Sequence, residues 1–231
     1  MKVISPQPSL TQQVYDAILD EICAGTLPAG AHLVQEQLAA RLGVSRQPVQ
    51  QAMALLRADG MVEAIGRRGL QVTPLDVELM RHHYDIRAAL DGLAARMAAE
   101  RARGVPGAAA EIARLGREIL RQGEASVAAG DVAGQVRHDA DLHALLYESS
   151  GNPLLARRAE PHWRFLRRAM GEVLRHAELP REIWRQHAEI LETVAAGDPD
   201  RAERLAVEHD LHAAETLRAA LEARPANAAG G

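Results

Sequence analysis

Apolar residues recur at three- and four-residue spacings along most of the chain, except around residues 62–73, where two short runs read as strands. Over 9–24 the positions Val14, Ile18, Leu19 and Ile22 make one face of a helix that stops at Gly25, and Leu27-Pro28-Ala29-Gly30 is a turn. A second helix is expected over 34–42, ending at Gly43. A third follows over 45–59, with Ser45 as its N-cap and Gly60 as its stop. Strands at 62–65 and 70–73 flank the turn Gly66-Arg67-Arg68-Gly69. Beyond the short linker Pro74-Leu75-Asp76 the pattern is helical throughout: 76–103, 107–129, 131–149, 153–176, 180–196 and 199–222. Asp198 before Pro199 marks the last start, with proline at the first helical position. The tail of Ala, Asn and Gly from Pro225 lacks anything to bury and is expected to be disordered.

The fold class is therefore mainly α. An N-terminal winged helix-turn-helix over 1–75 precedes a C-terminal all-α bundle over 76–222 and a tail over 223–231. Composition adjusts this picture only slightly. At 231 residues and 47% hydrophobic the chain can bury a real core, but aromatics are 3%, so Leu, Ala, Val and Ile must build it. Cys23 is the single cysteine, which excludes an intrachain disulfide framework and fits a reducing cytoplasm. The start MKVISPQPSLTQQ has no apolar core of a signal peptide, and no apolar run reaches the roughly 18 residues of a membrane span. The expectation is a soluble, cytoplasmic protein without a membrane partner. Net charge is −4, of which the first 76 residues contribute −1. A local basic patch on an acidic body suits a site-specific DNA reader better than an architectural coat.

The third helix opens Ser45-Arg46-Gln47-Pro48 and continues Val49-Gln50-Gln51. Val49, Met53 and Leu56 are spaced for burial, which leaves Arg46, Gln47, Gln50 and Gln51 as candidates for the outward face; Ser45, Arg46, Gln47 and Gln50 are the candidate DNA contacts of this helix. Arginine can bridge two acceptors of guanine, and glutamine can pair with the donor and acceptor of adenine. Such a face could be plain solvated helix surface; the Gly43 turn and the following hairpin favour DNA reading. Arg67 and Arg68 at the hairpin tip are candidates for a minor groove or for phosphates.

In the bundle, three helices place titratable groups where Leu is expected. Over 131–149 the stripe is Val132, Val136, Asp139, His143 and Leu146; over 180–196 it is Ile183, His187, Ile190 and Val194; over 199–222 it is Ala202, Leu205, His209, Ala213 and Thr216. Burying such groups singly costs several kcal/mol, on the order given for unpaired polar groups, so they need a common partner. A divalent metal held by Asp139, His143, His187 and His209 would serve, with Asp139 and His143 one helical turn apart. A hydrogen-bonded core network is the plainer alternative. Three imidazoles and a carboxylate favour Zn, then Ni or Mn, over Ca and Mg. A hydrolase-like enzyme using the same metal is the alternative function, but no nearby element supplies a general base.

Residues 9–73 resemble the DNA-binding domain of the GntR transcription regulators, on LPAGAHLVQEQLAARLGVSRQPVQQAM, ADGMVE and RRGLQV. Residues 78–220 resemble the all-helical FCD effector domain of the FadR-type branch, on YDIRAALDGLAARMAA, DADLHALLYESSGN and QHAEILETVAAGD followed by His209. The resemblance implies a ligand-responsive transcription regulator rather than an enzyme, a homodimer, a double-stranded DNA operator, and a metal on Asp139, His143, His187 and His209. An arginine usually stands where this chain has Gln50, which implies a different operator; Arg46 matches the family directly. Arg87 lies near the apolar stripe Leu79, Ile86, Leu90, Leu93 and Met97, with Asp91 one turn on as an ordinary surface partner. The matching arginine in the family often grips an effector carboxylate, which implies a small organic acid as effector. Asn152, before Pro153, reads foremost as a helix cap and secondarily as an effector contact. Trp163, Phe165 and Trp184 read as core.

Overall fold

A computed structural model describes residues 9–66, 69–174 and 181–223. They fall into two compact units, divided between Leu75 and Asp76.

In the first unit the described elements are α1 (Leu10–Cys23), α2 (Gln35–Leu42), α3 (Arg46–Ala58), β1 (Val62–Ile65) and β2 (Gly69–Val72). Val14, Tyr15, Ile18, Leu19 and Ile22 are the buried face of α1, and they pack against Val49, Ala52, Met53 and Leu56 of α3. Ser9 caps α1 by accepting from the Gln12 amide. Gly43 ends α2 with φ at 65°, a left-handed conformation that a β-carbon would strain, and this sharp exit lets α3 begin three residues later. β1 and β2 pair antiparallel with Val62 opposite Val72 and Ile65 opposite Gly69, and His32 adds a bridge to Gln71. Val62 and Val72 are both buried, so this two-stranded ribbon is anchored to the core at its open end.

The second unit holds α4 (Val77–Gly104), α5 (Ala108–Ala129), α6 (Val132–Ser149), α7 (Pro153–Leu174), α8 (Arg181–Ala196) and α9 (Pro199–Glu222). Asp76, Asp131 and Asp198 cap three of these helices by accepting from the amides of Leu79, Gly134 and Arg201. The expected helix to 176 is described only to Leu174, and the expected tail lies outside the described residues.

α4 touches each of the other five helices of its unit and lies most extensively along α9. Its buried positions are mostly small: Ala88, Ala94, Ala95, Ala98 and Ala99, opposite Ala202, Ala206 and Ala214 of α9. Gly92 has no space for a β-carbon beside Val207. Helices built this way approach closely. The apolar stripe read from the sequence on α4 turns away from this packing: Leu79 is 41% exposed, Ile86 48% and Leu93 42%. The face that packs instead carries Met80, Tyr84, Arg87, Ala88 and Asp91. Small side chains carry most of the central helix's core contacts beyond Met80 and Tyr84, while Leu79, Ile86 and Leu93 face outward.

Between α4 and α7, His83 Nδ1 lies 3.0 Å from His162 Nδ1, and the His83 ring stacks on Phe165 at 4.4 Å. Burial, then the neighbouring His162 and His82, lowers the His83 pKa from 6.5 to about 4; burial lowers His162 as well. The unfolded chain therefore binds these protons at a higher pH than the folded one. The contribution to stability is full above pH 6.5 and is lost as pH falls towards 4. Thermal melts at pH 7 and pH 4.5 should show a lower midpoint at the acid pH, and His83→Phe should shrink the drop. An equal drop in the variant would exclude this pair as a contributor.

Candidate functional site

Two places carry candidate chemistry, one in each unit. On the winged unit, Ser45, Arg46, Gln47 and Gln50 are exposed at the start of α3, while Val49 is fully buried. Pro48 is buried as well, so the first turn presents its polar residues on one side. Ser45 occupies the N-cap position with extended backbone, but its hydroxyl makes no capping hydrogen bond. The expected cap is therefore positional only, because Pro48 stands at the third helical position, where an amide N–H would otherwise donate such a bond. Arg46 pairs with Glu36 of α2, and both side chains remain about two-thirds exposed. Such a pair is worth little in water and yields readily to a phosphate or base. Gly66, with φ at 59°, begins the hairpin turn, while Arg67 and Arg68 lie outside the described residues.

The second place is the middle of the helical unit. α6 supplies Asp139 and His143, α8 supplies His187 and α9 supplies His209, and all four side chains are buried. One ligating atom from each lies within 4.8 Å of all the others. His187 Nε2 is 3.0 Å from His209 Nε2 and 3.3 Å from Asp139 Oδ1. Burial, aided by the other rings and Arg87, pushes the pKa of His187 and His209 well below the usual imidazole value, so both are neutral. Burial raises that of Asp139 despite His143 and Arg87.

The outer faces of the rings decide what the inner faces can do. His209 Nδ1 sits 3.0 Å from Gln186 Oε1, so the proton is assigned to Nδ1 and the Nε2 lone pair points inward. His143 Nδ1 is 2.7 Å from Asp91 Oδ2, close though off-axis, and its Nε2 lies 2.7 Å from the Arg87 NH2 group. A guanidinium can only donate, so this Nε2 is also a lone pair. His187 packs edge-on against Trp184 at 5.1 Å, and Trp184 in turn lies where Gly123 leaves no room for a β-carbon. His187 Nδ1 and Asp139 Oδ2 are buried with no hydrogen-bond partner. A cluster of inward lone pairs with an unsatisfied carboxylate oxygen is fitted to a cation.

Arg87 is 1% exposed, so its pairing with Asp91 is no surface ion pair as the spacing suggested. Its Nε is 3.1 Å from Asp91 and its NH2 3.1 Å from Asp210, and its Cζ lies 3.9 Å above the Trp163 ring. Burial opposes its charge, but Asp210 and Asp91 outweigh burial and raise its pKa further. The two carboxylates differ. Burial disfavours ionised Asp91, yet His143, Arg87 and the Tyr147 hydroxyl, which donates to it, hold its pKa below the ordinary value. Burial and the nearby Asp91 and Asp139 push that of Asp210 well above it. Trp163 Nε1 donates to the Tyr147 oxygen at 3.1 Å, which ties α7 into the network.

Beside the cluster lies a narrow cleft of about 20 Å³. Tyr84, Arg87, Asp139 and His209 form its polar side; Met170, Ile183, Ala213 and Leu217 form its apolar side. Asn152 does not line it. Its side chain accepts from the Leu154 amide at 3.1 Å and so begins α7. Asp91, Asp210, Tyr84, Tyr147 and Gln186 belong to the site without having been singled out for it from the sequence. Asp210 shares a face with Ala206, Ala214 and Leu217, a spacing that could have marked it.

A small winged helix-turn-helix unit joined in one chain to an all-helical unit is the arrangement of a DNA-binding transcription regulator. Residues 10–72 match the family model "Bacterial regulatory proteins, gntR family", and residues 82–213, more than half of the chain, match the FCD domain. The chain belongs to the GntR family of transcription regulators and carries an FCD domain; the family is one of regulators, not of enzymes. It is 28% identical over 226 residues to the HTH-type transcriptional regulator YdhC of Bacillus subtilis, covering 96% of each protein. It is 29% identical to a probable D-xylose utilization operon transcriptional repressor of Paenarthrobacter nicotinovorans, covering 87% of this chain and 85% of that one. Among solved structures it is similar in fold to McbR/YncC of E. coli, with a TM-score of 0.77 and 22% identity over 91% of this chain and 98% of that one. A GntR regulator from Rhodococcus sp. RHA1 is as similar, with a TM-score of 0.76 and 22% identity over 94% and 100%. No helix among the described residues is long and apolar enough to cross a membrane.

Proposed function

We propose that this regulator is a homodimeric repressor whose helical unit holds a divalent metal on Asp139, His143, His187 and His209 and releases its operator when a small carboxylate binds beside that metal. The observation that carries the reading is the buried convergence of four ligating atoms, with the outward nitrogens of His143 and His209 directed to Asp91 and Gln186. The donor set suits Zn first, with Ni or Mn as alternatives. A bound ion would supply a cationic anchor for an anionic ligand. The rest is the protein's own work. Arg87 offers its terminal nitrogen at the cleft while its Nε stays on Asp91. His143 Nε2 can serve that nitrogen or a metal, but not both, so metal loading leaves Arg87 a free donor for a carboxylate.

Regulation then follows from linkage. An effector that prefers a helical-unit conformation unsuited to the operator lowers DNA affinity, and operator DNA lowers effector affinity by the same factor. Repression is supported by the similarity to the Paenarthrobacter repressor. DNA reading falls to Arg46, Gln47 and Gln50, with Ser45 at the helix start, and Arg67 and Arg68 on the hairpin as phosphate or minor-groove contacts, in the cytoplasm where the operator lies. The domains of this reading run 1–75 and 76–222. Dimerisation through α4 is supported by Leu79, Ile86 and Leu93, exposed at heptad spacing on one face.

The metal is tested by elemental analysis of the purified protein and by melting with and without a chelator. The chelator should lower the midpoint, and Asp91→Asn should weaken metal binding by about 10–100-fold without changing helix content, because it removes the group that orients His143. Identical melting and no uptake on reconstitution would leave the four residues a hydrogen-bonded core network. Arg46→Ala should cost about 1–3 kcal/mol in operator binding while weak binding to unrelated DNA persists, read by fluorescence anisotropy. Unchanged operator affinity would remove Arg46 from the reading face. Ile86→Glu should turn the dimer into a folded monomer in light scattering, and a dimer that survives it would move the interface elsewhere.

A further inference from the structure

We propose that His83 of α4 and His162 of α7 form a second transition-metal site, which takes Cu(II) or Ni(II) through the two Nδ1 atoms. It shares no residue with the interior cluster. The two Nδ1 atoms lie 3.0 Å apart, with the rings inclined at 66°. Two nitrogens bound at about 2.0–2.1 Å stand about 2.9 Å apart when they subtend a right angle at the metal, and about 3.4 Å apart in a tetrahedron. The observed separation fits the right angle, which is the arrangement of tetragonal Cu(II) and Ni(II) rather than of Zn. Without an ion, one Nδ1–H donates to the other Nδ1. Moving that proton to Nε2 of its own ring leaves two lone pairs side by side, with no proton lost from the pair.

The surroundings hold this pair in place and keep it open. The His83 ring lies 4.4 Å from Phe165 at an angle of 15°, and Phe165 is itself buried, so the plane of the imidazole is fixed. Both histidines are only half-buried, so an ion and its remaining water ligands can reach them. His82 is exposed and its Nε2 lies 3.0 Å from the Arg81 NH2 group, which leaves the site bidentate. Arg81 in turn pairs with Glu78 and Asp85, which offset its charge. Burial keeps both imidazoles of the pair neutral at pH 7, so an ion need not compete with added protons. The location also matters. His83 precedes Tyr84 and His162 precedes Trp163, and the Arg87 Cζ lies 5.4 and 3.9 Å from those two ring centres. An ion on the pair would clamp α4 to α7 beside the rings that cover Arg87.

The test titrates the full chain with Cu(II) calorimetrically and follows the bound ion by electron paramagnetic resonance. The unaltered chain should take up one equivalent more than His83→Gln or His162→Gln. A tetragonal signal split by two imidazole nitrogens should vanish in both variants. The count is a difference between the chain and its variants, so it does not depend on whether the interior cluster takes metal. Both variants should keep their helix content, since each ring is half-exposed. His83→Phe, which preserves a ring against Phe165, should show the same loss and covers the case of a glutamine that disturbs the fold. Equal uptake with an unchanged signal in the variants would overturn the proposal and leave the pair an imidazole–imidazole hydrogen bond. Loss in only one of the two positions would place the ion on that histidine alone and overturn the pair. No uptake of Cu(II) by the unaltered chain would overturn it as well.

Discussion

The helical unit depends on one buried guanidinium. Arg87 stands on the helix that touches every other helix of its unit, and it joins Asp91 of its own helix, Asp210 of α9 and His143 of α6. Trp163 of α7 covers its face. Taking a charge of this kind out of water costs several kcal/mol per ion, so the helices must bring their carboxylates and aromatic rings to it in a fixed arrangement. The close approach of α4 and α9 makes that possible. Alanines on both helices, and Gly92 against Val207, let two backbones come near enough for Asp210 to reach across. Larger residues along the seam would separate the pair and leave Arg87 without one of its counter-charges.

The same arrangement explains which parts of the fold could be read from the sequence. Helix limits were legible because each is marked by a local device: aspartates at 76, 131 and 198 cap through their side chains, and Gly43 and Gly130 end helices in the left-handed region. The stripes of α6 and α8 were legible because these helices bury the face that their periodicity marks, including the His at its centre; on α9 only Ala202 and His209 of the expected stripe are buried, and the buried face turns to Ala206, Asp210, Ala214 and Leu217. α4 misleads for a physical reason. A helix surrounded by neighbours needs small residues where they approach most closely, so Leu79, Ile86 and Leu93 are left for the outside. Arg87 and Asp91, which look like an exposed pair one turn apart, lie on the enclosed side. Tyr84, Tyr147 and Gln186 matter through where their oxygens point, which no spacing along one helix discloses.

The winged unit follows a different economy. Its core is an ordinary apolar one, Tyr15 and Ile18 against Met53 and Leu56, and its exposed α3 residues add only exposed contacts, Arg46 with Glu36 and Gln51 with Thr11. Gln50 is exposed on this helix, so a change there would alter the surface more than the core. Base recognition can change by single substitutions on such a surface. In the helical unit it cannot, because each polar side chain of the cluster is also a partner of another.

That contrast bears on why a core should hold Asp91, Asp139, Asp210, Arg87 and three histidines at all. Replacing a buried ionic group by well-packed apolar residues of similar volume is often neutral or stabilising, by about 1–4 kcal/mol. Leucine at these positions would satisfy the periodicity of every helix involved and would leave no orphaned Asp139 oxygen or His187 nitrogen. Stability therefore does not account for the cluster. The occupation proposed above would account for it, since the orphaned Asp139 oxygen and the ring nitrogens would gain a cation as partner and Arg87 an anion. On that proposal the cost of a half-satisfied network would be recovered on binding, and a unit most stable only when filled would be one whose shape its ligands control.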